Sequence, residues 1–409
     1  MEPRRMTDPA ALASQAVDAP ALVALLQRMV QTRSYSARKE EGTLARWLRD
    51  HMESLGFDSR LQEVEPNRFN VISTWKGTGG GNSLMFNGHL DTNPSGEGWT
   101  VDPLGGVVDE TFIYGIGVSN MKAADAAYVG GVMAAMTSGF RPRGDVVIAH
   151  VVGELQGGVG SHHLVKSGVF CDRFVVGEPT DLDIVTMHAG SIECELVVFG
   201  RTRHLSKMEE AADALAIMIE AIGVLRTMPF SGPQTLAHQA VRRVGIGVMR
   251  AGLGETFEEW RPSLMADRAM IKFSPRWSTG QTPESVVADI QAAMERLVAR
   301  HPGASFALKR SGDAQRLVMG PFEVDPEADI VQHARAAYLA ERGREPPLGA
   351  VGPARFYGTD AYHLMQGGMV GIVCGPGGRY NTMPDERVDL VDLIDAAKIY
   401  ARMVVAVCR

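Results

Sequence analysis

Three short apolar runs in the first half of this chain each stop at an acid or an imidazole. Residues 83–88 lead into His89, residues 145–152 into Glu154, and residues 173–176 into Glu178. Helical patterns separate them, over residues 121–136 and 160–166. Strands alternating with helices imply a mostly parallel sheet with helices on both faces. Ligands of such sheets gather beyond the carboxyl ends of the strands. The fold class is therefore read as α/β, and the shared position of His89, Glu154 and Glu178 is the first sign that they form one site.

At 409 residues the chain is too long for one ordinary core, so two domains are expected. Residues 9–33 and 42–56 read as helices, the second with Leu44, Leu48, Met52 and Leu55 at helical spacing and Gly56 as its stop. Residues 69–75 and 83–88 read as strands around a Gly-rich turn. The middle then changes character. Residues 191–199 alternate apolar and polar like a half-exposed antiparallel strand; a helix over 209–228, strands over 241–249 and 264–273 and a helix over 284–300 follow. That order suits a smaller α+β domain inserted into the first. A buried strand at 370–374 and a closing helix at 390–407 restore the α/β pattern. The expected division is a catalytic domain in two parts, 1–186 and 311–409, around an inserted lid, 187–310.

Composition narrows the functional classes. With 22% charged residues and a net charge of −7, the chain offers no basic surface for nucleic acid. No segment approaches the length of a membrane span, and residues 128–136 fit a buried helix. Met1-Glu2-Pro3-Arg4-Arg5 is charged with no apolar run behind it, so no signal peptide is expected and the location is read as cytoplasmic. Cys171, Cys194, Cys374 and Cys408 lack C-x-x-C spacing, which leaves buried free thiols as the expectation. His150, His162, His163 and His188 read as structural.

In Gly88-His89-Leu90-Asp91-Thr92, a strand continuing through the triplet points His89 and Asp91 to one face, an arrangement suited to a metal ligand with an orienting carboxylate. Four more segments follow: Tyr114 to Lys122 with Asn120-Met121-Lys122, Gly153-Glu154-Leu155-Gln156-Gly157-Gly158, Gly177-Glu178-Pro179-Thr180, and Gly375-Pro376-Gly377 with Pro384-Asp385-Glu386. In order and spacing they resemble the metallopeptidase and amidohydrolase family of glutamate carboxypeptidase, aminoacylase and succinyl-diaminopimelate desuccinylase. The resemblance runs from about residue 40 to the end. It implies a two-metal catalytic domain with an inserted lid that often mediates dimerisation, hence a homodimer or larger homo-oligomer acting on a small-molecule substrate.

By that resemblance His89 is a metal ligand, Asp91 its orienting acid, Glu154 the general base and Glu178 a ligand to the same metal as His89. The departures cluster. Asn120 stands at the bridging-Asp position, Leu155 at a second-metal ligand position, and Thr382 at the position of a C-terminal His ligand. One divalent metal per site is expected, on His89 and Glu178 with Asn120 as an amide-oxygen donor; Mn, Zn, Co or Fe would suit that set. Asn120 can also cap a helix starting at Met121, a role that does not exclude ligation. His204 and Arg276, by resemblance, and Arg355, Tyr357, Tyr380 and Thr382 are candidate substrate partners. Three functions suit such a site. One is hydrolytic deamination of an electron-poor aromatic amine such as 5-nitroanthranilate, the chemistry of a degenerate family member. The others are hydrolysis of an N-acyl amino acid or peptide amide, and ligand binding without catalysis.

Overall fold

Four parallel strands form the heart of the main sheet: Val146–Val151, Leu84–His89, Arg173–Pro179 and Val370–Gly375, in that spatial order. The first two are buried along their whole length, as expected of strands covered on both faces. Arg68–Trp75 and then Asp58–Glu65 extend the sheet antiparallel on one side, and Ile184–Val185 and Leu348–Gly349 complete eight strands on the other. This is the mixed α/β architecture with a mainly parallel central sheet. The structure, a computed structural model, describes residues 8–311 and 317–409; the charged N-terminal stretch lies outside them.

Register explains why the three functional candidates meet. Leu84–His89 pairs with Val146–Val151 so that His89 lies level with Val151, and with Arg173–Pro179 so that Asn87 lies level with Val176. His89, Glu154 and Glu178 therefore leave the sheet at one edge. Closely packed glycines permit this. A Cβ on Gly88 would lie 2.1 Å from Asp125 Oδ1, and one on Gly177 would lie 2.2 Å from Tyr128 Oη.

Several element boundaries differ from the sequence reading. The single helix expected over 9–33 is two, Pro9–Gln15 and Ala19–Val30; the Asp18 carboxylate caps the second, and Pro20 sits in its first turn. Proline has no N–H to continue a helix, so the chain must restart there. Asp58–Glu65, a polar stretch to which the sequence pattern assigns no element, is an edge strand. The helix expected from residue 209 begins at Ala214, where Asp213 caps it. No helix starts at Met121: Asn120 has extended backbone within a wide turn over Val118–Lys122, the Asn120–Met121 peptide is cis, and the regular helix is Ala123–Thr137.

Two compact units emerge, Met1–Met187 with Phe322–Arg355 and Thr359–Arg409, and His188–Pro321 with Phe356–Gly358. The second is an antiparallel sheet in the order Arg243–Gly252, Arg268–Trp277, Glu193–Phe199, Ser305–Ser311. Helices Ala214–Thr227 and Pro283–Val298 pack on it through a core that includes Leu196, Ile217, Ile271, Ile290, Met294 and the fully buried Trp277. The return to the first unit, expected at residue 311, comes at Phe322, because Ser305–Ser311 closes the second unit's sheet. Among the described residues no single helix is long and apolar enough to cross a membrane. All four cysteines are free and buried, and burial pushes the Cys171, Cys374 and Cys408 thiols up to about 12, which keeps them inert.

Candidate metal centre and active site

His89 ends its strand with only 1% of its surface exposed. Its Nδ1 lies 2.8 Å from the main-chain oxygen of Asp91, which can only accept, so Nδ1 donates the proton there. Nε2 then faces Asn120 Oδ1 at 2.9 Å, Glu178 Oε1 at 3.7 Å and Glu154 Oε2 at 4.0 Å. Three acceptor oxygens around one ring nitrogen call for a cation, either a proton or a metal ion. Burial alone would lower the imidazole pKa, but the carboxylates of Glu178, Asp91, Glu154 and Asp360 hold it up at about 10.

Asp91 contributes through both its main chain and its side chain. Its carboxylate lies 3.6 Å from His89 Nδ1, and its two oxygens instead accept from the main-chain N–H groups of Glu154 (3.1 Å) and Leu155 (3.2 Å). The main chain of Asp91 thus orients the imidazole, and its side chain fixes the turn that carries Glu154. That turn is anchored again beyond Glu154. Gln156 donates to Ser36 O and accepts from Arg68, itself fully buried and paired with Glu41. The Glu154 carboxyl is driven well above its ordinary pKa by burial first and by Glu178 and Asp360 next. Glu178 is also raised, chiefly by burial.

The departures from the two-metal pattern also have definite places. Asn120 makes no helix-capping bond; its amide oxygen is the atom in contact with His89 Nε2. The Asn120 main chain is held from behind by Glu386, whose carboxylate accepts from the N–H groups of Gly117 (3.3 Å), Ser119 (2.8 Å) and Asn120 (3.1 Å). Burial pushes the Glu386 carboxyl up to about 7. Thr382 is exposed, donates its hydroxyl to Asn381, and lines a pocket together with Asn120. Leu155 is half-buried.

The substrate candidates fall on both units. Tyr380 packs edge-on against Phe112, with the Arg387 guanidinium 3.7 Å above its ring. Arg355 is half-buried and donates to Ala350 O. Tyr357, His204 and Arg276 belong to the second unit. His204 is exposed and caps the turn Leu205–Glu210 through Ser206, while Arg276 is half-buried near the end of its strand. Asp360 was not singled out by sequence reasoning. It is buried, one carboxyl oxygen has no hydrogen-bond partner, and burial raises it to about 7. A Cβ on Gly158 would lie 2.6 Å from that oxygen, so Asp360 closes on the loop after Glu154, where His363 also holds Gly157 O at 2.8 Å. Its only sequence signal was a Thr-Asp pair ahead of a short helix.

A divalent ion fits this donor set. Single ligand atoms of His89, Glu154 and Glu178 lie within 4.8 Å of one another, the one such cluster among the described residues, and Glu178 Oε1 is buried without a partner. An unsatisfied buried carboxylate oxygen is costly unless a cation meets it. The description of peptidase family M20/M25/M40 matches residues 85–406 of the chain. The chain belongs to this family. Among M20 relatives, succinyl-diaminopimelate desuccinylase 2 of Ruegeria sp. (strain TM1040) is 25% identical over 410 residues, covering 96% of this chain and 95% of the relative. N-formyl-4-amino-5-aminomethyl-2-methylpyrimidine deformylase of Bacillus subtilis is 24% identical, covering 92% of each. The crystal structure of aminopeptidase PepT from Bacillus cereus superposes with a TM-score of 0.76 at 19% identity, covering 96% of this chain and all of that one. This M20 protein is accordingly a metal-dependent hydrolase acting on carbon–nitrogen bonds.

Proposed function

We propose that this M20 enzyme hydrolyses an N-acyl amide, most simply that of an N-acyl amino acid, with one divalent metal per site. The carrying observation is the convergence of Glu154, Glu178 and Asn120 on His89 Nε2, with Asp91 tying the Glu154 turn to the same strand end. His89 Nε2, Glu178 and the Asn120 amide oxygen would hold the ion. When bound, the metal supplies charge that polarises water and the amide carbonyl. Glu154 lies at the edge of this set, placed to accept a proton from the attacking water and return it to the leaving nitrogen. A carboxylate whose pKa is raised suits both halves of that task. The single-ion reading rests on Asn120, Leu155 and Thr382, which together remove two carboxylates and an imidazole from the second position implied by the resemblance. By contrast, one M20 neighbour from Bacillus subtilis is described as a dinuclear metal binding peptidase.

The relatives favour the amide over the aromatic amine. They are named for removing succinyl or formyl groups, and acetylornithine deacetylase of Proteus mirabilis is 29% identical over 219 residues, covering 51% of this chain and 55% of the relative. Assays on protein loaded with Mn, Zn or Co would measure free amino acid from N-acyl amino acids beside ammonia from 5-nitroanthranilate. Amine release in the first assay supports the proposal. Ammonia in the second without amine in the first would replace it by the aromatic-amine reading.

A further inference from the structure

The pocket that Asn120 and Thr382 share lies one amide group away from His89 Nε2. Its walls are apolar: Trp99, Ile116, Met383 and Pro384. The polar groups at hand are the neutral Asn93, Asn120 and Thr382. The charged groups lining it are both carboxyls, Glu97 at the exposed mouth and Glu386 at the buried back. Among the described residues no Lys, Arg or His lines it.

The nearest cations in sequence are committed elsewhere. Lys122 is buried and donates to Met29 O and Thr32 O. Arg379 is held by Asp181, Asp389 and Asp392. Arg387 lies over the Tyr380 ring and donates to Asp385 O. Between Lys76 and Lys122 the sequence holds no Lys or Arg at all. A carboxylate placed in this pocket would meet no cationic side chain among the described lining residues, with the metal ion only beyond Asn120, and would face two acids, an unfavourable arrangement. A flat apolar group would instead bury its surface against Trp99 and Met383.

We propose that this pocket, beside the metal centre where the resemblance would place a second ion, receives the acyl group of the substrate, and that the group it selects is uncharged and apolar. The inference rests on the amide-hydrolase reading and adds to it the chemical class of the acyl group. An aromatic acyl group is accepted and an acyl group ending in a carboxylate is disfavoured. The Asn120 amide borders both the pocket and His89, so a group seated there has its carbonyl beside the metal ligands.

The test uses the full-length, metal-loaded protein with two probes that share an amine, N-benzoylglycine and N-succinylglycine. Free glycine reports turnover, and calorimetric titration of the Glu154→Gln variant reports binding without turnover. The expected result is a kcat/KM at least about tenfold higher for the benzoyl probe. Trp99→Ala should remove most of that preference. Met383→Arg, at a side chain 43% exposed and so tolerant of change, should shift the preference toward the succinyl probe. Equal or better turnover of N-succinylglycine by the unmodified protein overturns the proposal. If neither probe turns over, binding decides: N-benzoylglycine bound and weakened by Trp99→Ala keeps the pocket assignment while the hydrolase reading fails. Binding unaffected by Trp99→Ala, or no binding of either probe, overturns it.

Discussion

At the scale of single residues, orientation and chemistry at this site are divided between the main chain and the side chain of Asp91. The carbonyl of Asp91 fixes the His89 tautomer, and its carboxylate holds the N–H groups of Glu154 and Leu155. Asp91→Asn should therefore lower kcat by about 10- to 100-fold while changing metal affinity much less. Metal titration beside steady-state kinetics checks this; a parallel loss of both would mean that the carboxylate orients the imidazole after all. Glu154→Gln should remove turnover by at least about 100-fold and leave the metal bound. Because His89 without metal holds its proton to about pH 10, metal binding at pH 7 should release protons, seen as a dependence of calorimetric heat on buffer ionisation. His89, Glu154 and Glu178 were legible in sequence because each ends an apolar strand, and parallel pairing makes strand ends meet. Asp360 was not, because its place beside Gly158 comes from packing about 200 residues away in sequence, which no local pattern records.

Among the elements, the parallel strands and their helices were readable because full burial leaves unbroken apolar runs. The edge strand Asp58–Glu65 was not, since one exposed side lets polar residues in, and helix starts shifted wherever a cap such as Asp18 or Asp213 decided the boundary. The wide turn around Asn120 reads as a helix start because Met121 to Met136, apart from Lys122 and Asp125, is apolar and hides the break. Close approach at the strand ends gives a sharp prediction. Gly177→Ala places a methyl 2.2 Å from the Tyr128 hydroxyl and 2.5 Å from Ala124 Cβ, all buried. It should destabilise the protein by about 1–3 kcal/mol, with a lowered melting temperature. Tyr128→Phe in the same chain should recover part of that loss, and additive losses would show that the hydroxyl is not the obstacle.

For the whole molecule, buried imidazoles are a source of acid sensitivity. Burial lowers His150 and His363 to about 4 from an ordinary 6.5, the second despite its bond to Gly157 O. The unfolded chain takes up these protons below about pH 6.5, while the folded chain refuses them until about pH 4. Stability from these groups is thus complete above the unfolded value and is lost as pH falls through that window. Raised carboxyls such as Glu386 and Asp360 act in the opposite sense over the same window, so the imidazole contribution is read as a difference: between pH 7.5 and pH 4.5 the melting temperature of His150→Gln should shift upward relative to that of the unmodified protein. The overall α/β character was legible because it follows from the order of apolar runs. Where the second unit ends was not, because Ser305–Ser311 faces the core with only Phe306 and Leu308, too short an alternation to stand out from the polar residues around it.

The account as a whole turns on how many metal ions one chain holds and on which residue. Native mass spectrometry of protein loaded with Mn, Zn or Co measures this directly. One ion per chain, lost in His89→Ala and retained in Thr382→Ala, is the expected result. Two ions per chain, or one that survives His89→Ala, would contradict it.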